Sequence, residues 1–135
     1  MLKIINRNNI FISLLFMCIF GHGIVFAGPQ LETKNFQITY KVPLKFSAIP
    51  LNRIHSWILY IEDKKLRPVV GAKVIVKGGM PAHNHGLPTE PKVKEIGKGK
   101  YILEGLKFSM KGEWVLEFEI LSKNLSEKAT LNLNL

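Results

Sequence analysis

Cysteine is almost absent from this chain: one residue among 135, Cys18, and it lies inside an apolar amino-terminal segment. Downstream of that segment no disulfide can form and no thiol can act as nucleophile, so stability has to come from a packed core. Aspartate is equally scarce. The single copy, Asp63, stands in a Glu62–Pro68 turn and joins no Ser/His/acid set that strand order would bring together. No window of a dozen residues carries a helical apolar stripe, and no repeat or low-complexity stretch divides the chain. Acidic residues are outnumbered, 10 against 19 basic, for a formal net charge of +9. The lysines are scattered, without a dense block or an aromatic-interleaved stripe, which describes a solvated basic surface and argues against nucleic acid as a partner.

The first 27 residues have their own logic. Lys3 and Arg7 precede an apolar run from Ile10 to Phe20, and Val25-Phe26-Ala27 ends on the small residue that signal peptidase accepts. Cleavage after Ala27 is expected, giving a periplasmic or secreted domain of residues 28–135. The rival is an uncleaved anchor, since residues 10–27 together approach the ~20 apolar residues that span a bilayer; Gly21-His22-Gly23 interrupts that run. Phe16-Met17 ahead of Cys18 are too bulky for a lipobox. Membrane attachment is expected only if the segment is retained.

The rest of the chain alternates with a period of two. Phe36, Ile38, Tyr40 and Val42 form one apolar face, Trp57, Leu59 and Ile61 another, and Val70, Ala72, Val74 and Val76 a third. Tyr101 and Leu103, then Trp114, Leu116, Phe118 and Ile120, then Leu131, Leu133 and Leu135 continue the pattern, with Lys92–Ile96 as a short edge strand. Ser122–Lys128 has the composition of one helical turn. Six or seven short strands in the 108 residues after Ala27 predict an all-β fold, an immunoglobulin-like antiparallel β-sandwich with Trp57 and Trp114 as core anchors. Glu117 and Glu119, opposite that apolar face, read as a solvated pair and not as catalytic carboxylates.

Chemistry concentrates in Met80-Pro81-Ala82-His83-Asn84-His85-Gly86. Imidazole and thioether suit copper, above all Cu(I), and a His-x-His pair in extended backbone would place both rings on one side. The same residues also describe an ordinary loop with two polar histidines. If successive strands alternate in direction, His55 at the start of one strand and Met110 after another fall at the pole that carries this loop. The candidate metal ligands are therefore His83 and His85, with Met80, Met110 and His55 completing a mixed site. His55, His83 and His85 match a zinc enzyme's ligand count, but no general base accompanies them, so no enzyme is expected.

The runs His55-Ser56-Trp57, Val69-Val70-Gly71-Ala72, Gly79–Thr89, Gly99-Lys100-Tyr101, Gly105–Met110 and Gly112-Glu113-Trp114 resemble the YtkA-like family of small exported bacterial domains. The Met-Pro-x-His-x-His-Gly core is the specific part of that resemblance; the flanking strands are generic. The resemblance implies a β-sandwich outside the cytoplasmic membrane, linked in some members with copper handling or assembly of respiratory oxidases, and directs interest to His55, Met80, His83, His85 and Met110. A copper-binding module is thus expected, with a metal ion and an exported or membrane protein as partners. The alternative is a protein-interaction domain that binds no metal, its contact surface the proline-stiffened loop from Gly78 to Pro91. Mass spectrometry of the exported protein should find Gly28 at the amino terminus; a mass beginning at Met1 would mean a membrane-anchored domain.

Overall fold

A computed structural model describes residues 29–42 and 48–135; the amino-terminal segment of residues 1–27 lies outside the described residues. Among the described residues there are nine strands: β1 (Gln30–Glu32), β2 (Phe36–Lys41), β3 (His55–Asp63), β4 (Lys73–Met80), β5 (His85–Gly86), β6 (Lys92–Gly97), β7 (Lys100–Leu106), β8 (Glu113–Ser122) and β9 (Leu125–Asn134). They form two sheets, ordered β1-β2-β3-β7-β6 and β5-β4-β8-β9, with antiparallel pairing throughout. The expected all-β sandwich is the fold observed.

Alternation builds the core. In β8, Trp114, Leu116, Phe118 and Ile120 are fully buried between the sheets, while Glu117 turns out to Lys128 at 3.0 Å. In β3, Trp57, Leu59 and Ile61 do the same from the opposite sheet. Buried Tyr101 ties β7 to the connection entering β4: its hydroxyl donates to Val69 O (2.8 Å) and accepts from the Ala72 amide (3.1 Å), and burial pushes the phenol pKa up. At the other side of the sandwich, Glu127 of β9 accepts the Asn35 amide at 2.9 Å and so holds the β1–β2 turn.

Three expectations are corrected. Ser122–Lys128 contains no helical turn; Lys123 takes φ 53° and the chain reverses at once into β9. The apolar phase assigned to Val70 also fails, because Gly71 at φ +72° breaks the alternation and leaves Val70 solvent-facing while Val74 and Val76 point inward. His83 and Asn84 are not extended: Pro81–His83 form a 3₁₀ turn and Asn84 is left-handed (φ 51°, ψ 40°), a conformation asparagine tolerates well.

Two outcomes follow from the packing. Replacing Trp114 or Trp57 by alanine should lower stability by about 3–5 kcal/mol, the usual cost of deleting a large buried aromatic, measured by denaturant unfolding; an unchanged midpoint would refute the inward face. In the β3–β4 loop, the Arg67 side chain, the Arg67 amide and the Lys65 amide all donate to Asp63, holding its pKa down to about 2. A carboxylate with a depressed folded pKa contributes its stability above its ordinary value and loses it as pH falls toward 2. The Lys65 and Arg67 amide resonances of the folded protein should therefore shift with a midpoint near pH 2, and Asp63→Asn should abolish that transition.

Candidate functional site

The Met/His segment forms a hairpin across the end of β4. Gly79 pairs with Gly86 and Met80 with His85, so four residues, Pro81 to Asn84, make the turn. The crossing is tight: a Cβ on Gly79 would lie 2.3 Å from His85 O, and one on Gly78 2.5 Å from Val115 O in β8. These two glycines let β5 and β8 close on β4, and that closure sets where the histidine rings stand. The hairpin borders a depression of about 400 Å³ whose wall includes Met80, Asn84 and His85, with Lys77 and Glu117 at its margin.

Both rings of the His-x-His pair reach solvent, their centres 6.0 Å apart and tilted by 45°. His85 rests on the fully buried Trp114 edge-on, at 5.6 Å and 70°. Its Nδ1 lies 2.9 Å from the carbonyl of Gly86, which can only accept, so Nδ1 carries the proton and Nε2 keeps its lone pair. This is the arrangement by which a backbone carbonyl prepares an imidazole as a ligand.

Met80 is a core residue, 1% exposed, lying where a Cβ on Gly112 would touch its Cε at 2.8 Å. Direct pairing puts its side chain on the same face of the sheet as that of His85. Met110 is 42% exposed on the β7–β8 connection, and its carbonyl accepts from Trp114 Nε1 at 3.0 Å. Continued two steps beyond Val74 and Val76, the β4 alternation lands on Met80, so its burial was readable from the sequence.

His55 opens β3 on the other sheet. Its ring packs on Phe108 at 5.6 Å, and Phe108 packs on Trp114 at 5.2 Å, so two aromatic rings stand between His55 and His85. A β-bulge falls between His55 and Trp57, where Gly105 at φ +82° supplies the extra residue in β7. His55 Nδ1 is 3.0 Å from Arg53 O, which again leaves Nε2 with the lone pair. That Nε2 is buried and has no hydrogen-bond partner among the described residues; the same is true of Trp57 Nε1 two residues on. Sequence reasoning missed this neighbouring donor and acceptor, for which periodicity offers no signal.

All five candidates thus stand at one pole, with His83, His85 and Met80 on one hairpin and His55 beyond Phe108. Among the described residues, no three His, Cys, Asp or Glu side chains are grouped as a metal site would need. The zinc-type set of His55, His83 and His85 is therefore not assembled.

Among solved structures, the chain is similar to a DUF4426-family protein from Pseudomonas aeruginosa PAO1, with a TM-score of 0.57 and 14% identity over 79% of this chain and 96% of that one. At that identity the likeness concerns the fold alone. No curated protein matches. The YtkA-like family profile matches residues 34–119, a span that takes in β2 to β8, the hairpin and the aromatic residues beneath it; on that match, the chain belongs to the YtkA-like family.

Proposed function

We propose that this domain is an exported copper-binding module in which His83 and His85 are the primary ligands. The observation that carries the reading is the paired imidazoles at 6.0 Å, one of them with its Nε2 lone pair freed by the Gly86 carbonyl. Two imidazoles sharing one ion have ring centres about 6 Å apart when the metal–nitrogen bonds, about 2 Å each, are nearly collinear. Such two-coordinate geometry suits Cu(I), and neutral imidazoles leave the ion its charge, which favours release to a partner over permanent retention.

Met80, paired with His85, and the exposed Met110 on the β7–β8 connection are the two thioethers at this pole. His55 has the right lone pair, but Phe108 and Trp114 separate it from the hairpin, so its contribution to this ion is secondary. Copper handling, including supply to an oxidase during its assembly, is the role such a module would serve. No catalytic step is proposed. A second reading, a protein-interaction domain that binds no metal, draws on Ile54 and Met110, both exposed at this pole.

Competition against a Cu(I) chelator separates the two. Wild type should bind one Cu(I) in preference to Zn(II). His83→Ala with His85→Ala should lose it while melting unchanged, because both rings are exposed. Met110→Leu keeps volume and removes only sulfur, so it should weaken Cu(I) more than Cu(II). Equal copper uptake by wild type and the double histidine variant would refute the site and leave the interaction reading.

A further inference from the structure

The pole opposite the histidines carries an unusual set of turns. Four of the six large apolar side chains exposed among the described residues are there: Leu66 (66%), Val70 (63%), Ile96 (50%) and Leu125 (43%). Leu66 and Val70 lie on the β3–β4 connection, Ile96 near the end of β6 and Leu125 at the start of β9, so both sheets contribute. Contacts draw these segments together. Glu95 accepts the Gly71 amide at 2.8 Å, Gly99 packs against Pro68, and a groove of about 610 Å³ separates Val70 from Leu125, with Phe36 and Val69 also in its wall.

Cations stand beside three of the four apolar tips. Lys65 and Arg67 flank Leu66, Lys98 follows Ile96, and Lys123 precedes Leu125. Four of the nearby carboxylates are engaged locally: Asp63 with Arg67, Glu32 with Lys64, Glu95 with Gly71 and Glu127 with Asn35. Lys65, Lys98 and Lys123 take part in no ion pair among the described residues. Leu66 is held outward at φ 59°, a left-handed position that leucine rarely occupies and that a polar asparagine would fill more easily.

We propose that this pole docks on an anionic membrane surface, the apolar tips entering the interfacial region and the lysines meeting lipid phosphates. The spacing of the tips decides for a bilayer over a protein partner. A protein interface has a contiguous apolar core with charged residues kept to its rim. Here three of the four apolar groups, Leu66, Ile96 and Leu125, have a cation within two residues, which a bilayer accepts, because lysine stems lie along the apolar layer while their ammonium groups stay at headgroup level. Docking in this way points the histidine hairpin away from the membrane, and the surface stands whether or not that hairpin binds copper.

Trp57 and Trp114 are buried at the far end, so Leu66→Trp introduces an indole whose emission reports this pole itself, whatever the state of the amino terminus. With the exported protein, mixed phosphatidylglycerol–phosphatidylcholine vesicles should shift that emission to the blue, and phosphatidylcholine alone should not. Adding Val70→Thr and Leu125→Thr should weaken the titration by roughly tenfold or more, the affinity carried by one buried leucine-sized side chain or more. Lys65→Gln with Lys123→Asn should weaken it by roughly fivefold or more. Lys107→Gln with Lys111→Gln, at the histidine pole, should leave it unchanged. The proposal is overturned by emission that vesicles do not move, by equal titration in the Val70/Leu125 background, or by an equal loss from the Lys107/Lys111 pair, which would mean attraction by net charge alone. A response to polyglutamate without one to vesicles would overturn it in favour of an acidic protein partner.

Discussion

The histidine pole depends on one stack of aromatic rings. Tyr40 lies parallel to Trp57 at 5.0 Å, Trp57 leans on Phe108 at 6.4 Å, and Phe108 meets Trp114 edge to face at 5.2 Å. Trp57 belongs to β3 in one sheet and Trp114 to β8 in the other, so Phe108, on the connection between β7 and β8, joins the two layers where no disulfide does. Aromatic pairs at these distances contribute beyond the area they bury. His85 and His55 both rest on this stack, at Trp114 and Phe108 respectively. The imidazoles are thus placed by the core, although they lie at its edge.

Hydrogen bonding then divides the ring atoms. In both His55 and His85 a backbone carbonyl takes Nδ1 and Nε2 is left with the lone pair, but the two Nε2 atoms face different surroundings. That of His85 belongs to an exposed ring on the hairpin; that of His55 is buried near an equally unpartnered indole N–H. Buried polar atoms without partners are uncommon in folded proteins. His55 Nε2 and Trp57 Nε1 both belong to β3, two residues apart, on either side of its β-bulge.

Most of the sandwich was legible because a strand with one buried face writes its period into the sequence. Phe36 to Tyr40, Trp57 to Ile61 and Trp114 to Ile120 all point inward as that period requires. The pole that gathers the histidines and methionines followed from alternating strand direction. What escaped had too few residues for a period to register, as with β1 and β5, or depended on one backbone angle, as at Gly71 and Lys123. The candidate site was readable as a cluster of residue types, whereas its division by Phe108 is a property of packing across the two sheets.

The hairpin that presents the two histidines has a further property. Backbone pairing fixes its ends at Gly79–Gly86 and Met80–His85, and Asn84 in the left-handed conformation closes it. The backbone positions of the two histidines are therefore set by a four-residue arc, while their side-chain torsions set the gap between the rings. Such an arc works as a ruler. One inserted or deleted residue would replace the turn that carries His83, so the spacing can change in evolution only by rebuilding the whole turn.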